Sequence, residues 1–162
     1  MSLWETSMFK LIFASNSTRM DFLTYTDTLQ IKLQDQKRYI FDPIRKKWLV
    51  LQPEEFVRQL IVQYLLQNKG YNRNRIAIER GIKVNGLAKR CDILVYDQAM
   101  QPFLLIECKA PEIPLDANVF HQMAVYNMQL RVPHLMMSNG EASYICKIDV
   151  ENQEYTLLQD LP

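Results

Sequence analysis

A run that is apolar on both faces of a strand constrains this chain most. Residues 103–106 read Phe-Leu-Leu-Ile and pass directly into Glu107-Cys108-Lys109. A strand with two apolar faces belongs inside a sheet and not at a wet edge. Charged side chains at the end of such a strand are costly to desolvate unless something binds them. The run therefore predicts a central strand whose charged end has a binding partner.

A second apolar run, residues 91–96, precedes the first across a turn at 97–102. If the two runs pair as a hairpin about the middle of that turn, Asp92 lies directly opposite Glu107. Opposed side chains have Cβ atoms about 5 Å apart, and like charges so placed repel. Lys109 follows Glu107 by two residues and shares its face of the strand. The pattern predicts two carboxylates and one ammonium at the same strand end.

A hard divalent cation would offset the repulsion between Asp92 and Glu107. Mg²⁺ accepts one or two protein carboxylates, keeps several waters and takes further ligands from substrate phosphate. A neighbouring lysine, Lys109, could orient or deprotonate the attacking water beside such an ion. The alternative is an ordinary ion pair on a strand end. Because Asp…Glu-x-Lys is short and common, the residues alone leave both interpretations open.

Two helices are predicted from the apolar period, over residues 53–69 and 117–130. The first begins at Pro53 and carries Glu54 and Glu55 in its first turn, where acidic side chains compensate the helix dipole. Glu54 shares the apolar face, which would aim it toward the sheet; which glutamate serves the site stays open. On the second helix Gln122 and Tyr126 are four residues apart and therefore neighbours. Both could belong to the site; alternatively, Gln122 is a surface amide and Tyr126 a core residue.

The remaining apolar runs predict short strands, and the chain start shows no period. We expect an N-terminal arm over residues 1–27, disordered or otherwise outside the domain, and a single domain over 28–162. Residues 1–20 have three interpretations that the sequence leaves open: a flexible arm, an extension upstream of a start at Met20, or residues foreign to the protein. The predicted strands are 29–33, 39–41, 48–51, 76–79, 81–84, 134–137, 143–150 and 155–158.

Basic residues cluster between Lys69 and Arg90, opposed only by Glu79, although the whole chain carries a net charge of +1. Arg73, Arg75 and Lys89 of this segment are candidates for contacts with a phosphate backbone. The alternative is the solvated exterior of a hairpin.

Three cysteines without a CxxC pair, and two histidines without zinc spacing, argue against disulfides and structural zinc. This cysteine usage predicts a reducing, cytoplasmic compartment. No apolar stretch approaches the roughly 20 residues that span a bilayer, so we expect no membrane association.

The ordered set Glu54, Asp92, Glu107-x-Lys109 and Gln122-x-x-x-Tyr126 resembles the PD-(D/E)xK nuclease superfamily. In particular, the chain resembles the N-terminal nuclease domain of type I restriction enzyme R subunits over roughly residues 28–145. The stretches that carry this resemblance are 41–48, 53–59, 83–86, 90–93, 107–111 and 126–127, followed by the 138–140 turn.

The resemblance implies an α/β, restriction-endonuclease-like core, in which a mixed central β-sheet is flanked by α-helices. It implies Mg²⁺-dependent cleavage of DNA phosphodiester bonds, with Mn²⁺ as a substitute. The implied catalytic and metal-binding roles are Asp92 and Glu107 as metal ligands, Lys109 as the residue that activates water, Glu54 as a metal-holding or positioning carboxylate, and Gln122 and Tyr126 as residues that contact DNA or brace the site.

The chain also departs from that family. Cys91 stands where a proline usually precedes the first aspartate, and no GxxxxGK[ST] translocase motif occurs in the 162 residues. We therefore expect a partner that supplies targeting or a motor, and a homodimer is compatible with the sequence. The competing hypothesis is a non-catalytic DNA-binding or assembly module that keeps the nuclease fold.

Overall fold

Nine strands and two α-helices make up the computed structural model, which describes residues 17–149, 151–152 and 154–162. Two 3-10 helices lie at Phe22–Thr28 and Arg73–Arg75. The helices are α1, Pro53–Gln67, and α2, Ala117–Leu130. The strands are β1 Ile31–Gln34, β2 Lys37–Asp42, β3 Lys47–Val50, β4 Ile76–Val84, β5 Leu87–Tyr96, β6 Pro102–Cys108, β7 His134–Ser138, β8 Ser143–Asp149 and β9 Glu154–Leu158.

Six strands form a mixed sheet in the order β4-β5-β6-β7-β8-β9. Only β6 and β7 pair in parallel, through a crossover that contains α2; the other neighbours are antiparallel. Leu104, Leu105 and Ile106 of β6 are fully buried, since strands flank β6 on both sides. The mixed α/β architecture and the central place of this apolar strand confirm the predicted fold class.

The β5–β6 hairpin has the predicted register. Ile93 pairs with Ile106, and Leu94 with Leu105, before the register shifts near Tyr96 at the turn. Extending the same register by one position sets Asp92 against Glu107. The position of the turn between the two apolar runs was therefore enough to place the two acidic residues opposite each other.

The two helices cover opposite faces of this sheet. Leu60, Ile61 and Leu65 of α1 join a core with alternate residues of β5 and β6, including Ile93 and Ile106. Alternate strand residues point to opposite faces, and the intervening ones form the second core under α2. Each fully buried aliphatic side chain contributes about 1.5–3 kcal/mol through removal of apolar surface from water. The sheet is thus clamped between α1 and α2.

Helix ends follow local signals. α1 starts at Pro53, whose missing N–H costs nothing in a first turn, and ends two residues before the predicted residue 69. At the start of α2, Asp116 accepts hydrogen bonds from the backbone N–H groups of Asn118 at 2.9 Å and Val119 at 3.2 Å. The predicted bounds of α2 are confirmed.

The region predicted as an N-terminal arm differs from the prediction. Thr18 donates its backbone N–H to Ser143 at 2.8 Å, and Phe22 is buried against Tyr64 with ring centroids 5.4 Å apart. Residues 17–27 are thus part of the domain, because Phe22 fills a gap beside α1 that the local pattern did not reveal. Residues 1–16 of the predicted arm lie outside the described residues.

β1, β2 and β3 form a separate antiparallel three-stranded sheet before α1. The two strands predicted at 76–79 and 81–84 are one strand, β4, in which Glu79 adopts a positive φ of 50°. Within the described part of the chain, no helix has the length and apolarity needed to cross a membrane.

Candidate active site

The charged end of β6 lies where α1 and α2 approach the sheet from opposite faces. Asp92 of β5 forms a side-chain hydrogen bond to α1, whereas Glu107 of β6 forms one to α2. Lys109, one residue beyond β6, is fixed by its backbone N–H, which donates to the Ser138 carbonyl at 2.9 Å. The structure therefore brings together side chains that are far apart in the sequence.

Both oxygens of Asp92 already accept hydrogen bonds. Oδ2 accepts from the backbone N–H of Cys108 at 2.7 Å, and Oδ1 accepts from Nη2 of Arg58 at 2.9 Å. The side chain is 14% exposed. Charge-assisted bonds of this kind hold a carboxylate in one orientation, so Asp92 is fixed before any ligand arrives.

Arg58 is the site residue that the sequence analysis did not single out. Its guanidinium, 5% exposed, donates to Glu54 at 3.1 Å, to Glu55 and to Asp92. Burial acts to lower the pKa of Arg58, but the charges of Asp92 and Glu55 outweigh it and the pKa lies above its usual value. A signal existed: Arg58 is four residues after Glu54 on the predicted apolar face of α1.

The two glutamates at the start of α1 have different partners. Glu55 accepts hydrogen bonds from Arg45 at 2.8 Å and Gln59 at 2.9 Å, in addition to Arg58, and so belongs to an internal network. Burial raises the pKa of Glu54, as does the nearby charge of Asp92, while Arg58 and then Lys109 lower it. Glu54 is therefore the helix carboxylate that faces the charged end of β6.

Glu107 is 3% exposed and only half satisfied. Its Oε1 accepts hydrogen bonds from Lys109 Nζ at 3.1 Å and from Gln122 Nε2 at 2.8 Å. Its Oε2 is buried and has no hydrogen-bond partner among the described residues. Burial, followed by the charge of Asp92, raises the pKa of Glu107 to about 7, although Lys109 opposes the shift. A buried carboxylate oxygen without a donor costs free energy unless a cation or water reaches it.

Lys109 is an ammonium donor in this arrangement. Burial acts to lower its pKa, but Glu107, then Asp92 and Glu54, raise it above the ordinary value. Gln122 uses both of its amide hydrogens, one toward Glu107 and one toward the Tyr126 hydroxyl at 2.9 Å. Tyr126 is buried beneath Gln122, so it braces the amide that holds Glu107.

The donor set suits a hard cation. Among the described residues, no three side chains of the His, Cys, Asp and Glu types converge closely enough to enclose a metal ion. Mg²⁺ does not need such a cage, because it is commonly held by one or two carboxylates with water and phosphate as further ligands. Asp92 and Glu107 supply hard oxygen atoms, and Oε2 of Glu107 lacks a partner. The residues present therefore fit Mg²⁺ or Mn²⁺.

The predicted phosphate-binding residues do not all lie together. Lys89 stands opposite Ile82, whereas Arg73 and Arg75 precede the start of β4 at Ile76. At about 3.3 Å per residue, Lys89 and Arg75 are roughly 20 Å apart along the strand. Lys89 is the one of the three that lies beside the site.

An open groove of about 520 Å³ lies between α2 and Lys89 of β5, and Gln122, the amide donor to Glu107, lines it. Asn118 and His121 of α2 line it but were not predicted as site residues, since isolated polar residues on a helix carry no signal. His134, by contrast, is buried against the Phe103 ring with centroids 4.7 Å apart. The residues that line the groove are Lys89, Asn118, His121, Gln122, Val125 and Tyr126.

Comparison with known proteins shows similarity to a family and to solved structures. The sequence model of a family described as type I restriction enzyme R protein N terminus (HSDR_N) matches residues 53–162. A solved fragment assigned as an HsdR subunit of a type I restriction enzyme from Vibrio vulnificus YJ016 is 22% identical, with a TM-score of 0.49. The alignment covers 68% of this chain and 24% of that chain. Among curated proteins, no match to the chain is found.

Proposed function

Because the chain belongs to the family of type I restriction enzyme R protein N termini, we propose that it is a divalent-metal-dependent deoxyribonuclease domain. The observation that carries this proposal is the unpartnered Oε2 of Glu107, buried next to Asp92 with Lys109 on the same strand end. A buried carboxylate oxygen without a donor is costly to the fold and calls for an explanation, such as a cation that it binds. In the proposed function this acceptor binds a cation.

Asp92 and Glu107 would hold the ion, and Glu54 would bind it through water or position a second ion. When bound, Mg²⁺ or Mn²⁺ supplies Lewis-acid stabilisation of the negative charge that develops on the phosphate. Arg58 and the Cys108 N–H keep the Asp92 carboxylate in one orientation, which avoids reorganisation when substrate arrives.

Lys109 supplies the proton chemistry in this proposal. Its Nζ is 3.1 Å from Glu107 Oε1, so a water hydrogen-bonded to Glu107 lies within its reach. As an ammonium it orients that water and donates to a phosphate oxygen; once deprotonated it would accept the proton of the attacking water. Gln122 holds Glu107 from the other side, and it also lines the groove along α2, through which the substrate backbone would approach.

A second candidate function is a non-catalytic DNA-binding or assembly module. The observation that favours it is the complete hydrogen bonding of Asp92 by Arg58 and Cys108, which stabilises the site without any metal. In either case, the proposed partners are DNA and a protein or domain that supplies targeting or a motor, as membership of a family of restriction-enzyme R proteins suggests. The chain spans 24% of the length of the HsdR fragment chain.

The decisive experiment is cleavage of supercoiled and linear DNA with Mg²⁺ or Mn²⁺. We expect nicking by the wild type, and a loss of about a hundredfold or more for Lys109→Ala, because one proton-transfer group contributes about 10²–10⁴ in rate. Asp92→Asn should lose activity through metal affinity, and Glu54→Gln should lose less. Lys147→Ala, an exposed position of β8, is the matched control.

Metal binding gives a second readout that does not depend on turnover. Mn²⁺ titration followed by electron paramagnetic resonance should show binding to the wild type and to Lys109→Ala, but weak binding to Asp92→Asn and Glu107→Gln. A wild type that binds DNA but neither binds Mn²⁺ nor cuts would establish the non-catalytic module. Undiminished cutting by Lys109→Ala would refute the role given to Lys109.

A further inference from the structure

A two-stranded ribbon projects past the end of β6. β5 pairs with β6 only from Ile93 onward, whereas its earlier part, from Leu87, pairs with β4 alone. We call residues 80–90 the hairpin arm. At about 3.3 Å per residue, its strands extend roughly 20 Å beyond the last β5–β6 pair.

The hairpin arm carries four exposed cations, and its sequence contains no Asp or Glu. These are Arg80, Lys83, Lys89 and Arg90. None of the four forms an ion pair with a described residue, whereas Arg45, Arg58 and Lys69 elsewhere in the chain all do. Such unpaired positive charge on a projecting element is available to neutralise a polyanion.

The tip of the hairpin arm is tight and apolar. Asn85 and Gly86 connect the strands with φ values of 50° and 78°, the two-residue turn that matches strand twist. Leu87 follows and is 62% exposed. Val84, the cross-strand partner of Leu87, is buried in the core under α2. The arm is therefore held against α2 next to its turn, while Asn85, Gly86 and Leu87 stay exposed.

We propose that the hairpin arm enters the major groove of duplex DNA, in a way that rests on the nuclease function proposed above. The major groove is about 12 Å wide and admits a two-stranded ribbon, whereas the minor groove is about 6 Å wide. The four cations contact phosphates on both walls, while Asn85 and Leu87 face base edges. Lys89 also lines the groove that leads to Gln122, so DNA held by the arm continues toward Glu107.

The composition of the arm favours duplex over single-stranded DNA. Single-strand binding surfaces stack bases on aromatic side chains, and residues 80–90 contain none. Double-stranded RNA is disfavoured by shape, because its major groove is too narrow and deep for side chains to read.

The test is fluorescence anisotropy of the full chain with a duplex DNA of about 25 base pairs, in EDTA, across a salt series. Lys83→Gln combined with Arg90→Gln should weaken binding at least about tenfold and reduce the slope of log Kd against log salt by about 2, since each phosphate contact contributes about 0.9. The control is Lys37→Gln with Arg38→Gln, an exposed pair of equal charge at the start of β2; binding should barely change.

A third variant separates base contact from phosphate contact. Asn85→Ala should leave the salt slope unchanged while altering the ranking of duplexes that differ in sequence. The proposal would be overturned if the arm and control double variants lost equal DNA affinity, or if the arm double variant kept the wild-type salt slope. Binding of single-stranded DNA as tightly as duplex would also overturn it. Metal-dependent cleavage that survives such a result would leave the nuclease function standing, whereas a wild type that neither binds nor cuts DNA would refute both.

Discussion

Asp92 and Glu107 occupy adjacent positions on paired strands, yet their surroundings are opposite in character. Asp92 meets α1 and has a donor on each oxygen, one from Arg58 and one from a backbone N–H. Glu107 meets α2, receives both of its donors on one oxygen, and keeps the other buried and unpartnered. The α1 half of the site is satisfied, while the α2 half retains a capacity to bind.

The α1 half of the site thus stabilises the fold, whereas the α2 half keeps a carboxylate oxygen that is available to a ligand. A guanidinium shared among three carboxylates offsets their repulsion within the protein. A neutral amide such as that of Gln122 orients the Glu107 carboxylate but does little to neutralise its charge. The α2 half of the site therefore depends on an external cation or a proton for neutralisation. The two halves should therefore respond oppositely to substitution.

Arg58→Met tests the α1 half and has the largest expected effect. Removing one partner of a buried charge cluster leaves Asp92, Glu54 and Glu55 uncompensated, which typically costs about 3–5 kcal/mol. Urea unfolding should show that loss, and Arg58→Lys should recover part of it. Arg38→Met, on an exposed strand, is the control. A loss below about 1 kcal/mol would erase the distinction between the halves.

Asp92→Asn and Glu107→Gln conserve the shape of the side chain, and in metal-free protein they should change the free energy of unfolding in opposite directions. Asp92→Asn weakens charge-assisted bonds to Arg58 and Cys108, at a cost of about 1.5–3 kcal/mol. Glu107→Gln removes a buried charge that repels Asp92, so unfolding above pH 7 should require more urea than in the wild type. Destabilisation by both would mean that Glu107 is as well compensated as Asp92.

The pH dependence of stability should single out Glu107. Burial, and then Asp92, raises the pKa of Glu107 to about 7 from an ordinary value of 4.5. A group whose pKa is higher in the folded state stabilises the fold below the unfolded value, and that stability is lost as pH rises through the folded one. Without metal, the melting temperature of the wild type should therefore fall between pH 4.5 and 7 relative to Glu107→Gln. An identical pH profile for both proteins would contradict this environment for Glu107.

Gln122→Ala is the smallest expected effect. Losing one hydrogen bond costs about 1 kcal/mol, and Glu107 then keeps Lys109 as its only side-chain donor among the described residues. The Glu107 pKa, followed by nuclear magnetic resonance of its carboxyl carbon, should rise further. Gln67→Ala, on the exposed end of α1, should leave that pKa where it is. A pKa that falls would mean that water replaces the amide.

Local sequence patterns predicted those parts of the site that lie within one helix or across one hairpin. The apolar run before Glu107, the turn at 97–102 and the α2 bounds were sufficient to place Asp92 opposite Glu107 and Gln122 next to Tyr126. In each case the relevant contact is made within one element or across one hairpin. The register of such units follows from side-chain alternation and turn geometry alone.

Contacts between distant segments escaped prediction. Arg58 and Asp92 are 34 positions apart, and the packing of Phe22 on Tyr64 joins the chain start to α1. The choice between Glu54 and Glu55 depended on Arg45, which lies in the turn between β2 and β3 and holds Glu55. No local period records such partners, because they are set by how whole elements pack.

The sequence by itself determined which strand is central, that Asp92 lies opposite Glu107 near its end, and that Lys109 follows Glu107 by two residues. It also determined the family to which the chain belongs. Only the tertiary structure decided that Asp92 is neutralised by Arg58 while Glu107 keeps an open oxygen, and that Lys89 rather than Arg75 lies beside the site. The physical reason is that residue type and spacing set charge and periodicity. Desolvation and partner choice arise only when α1, the sheet and α2 close on one another.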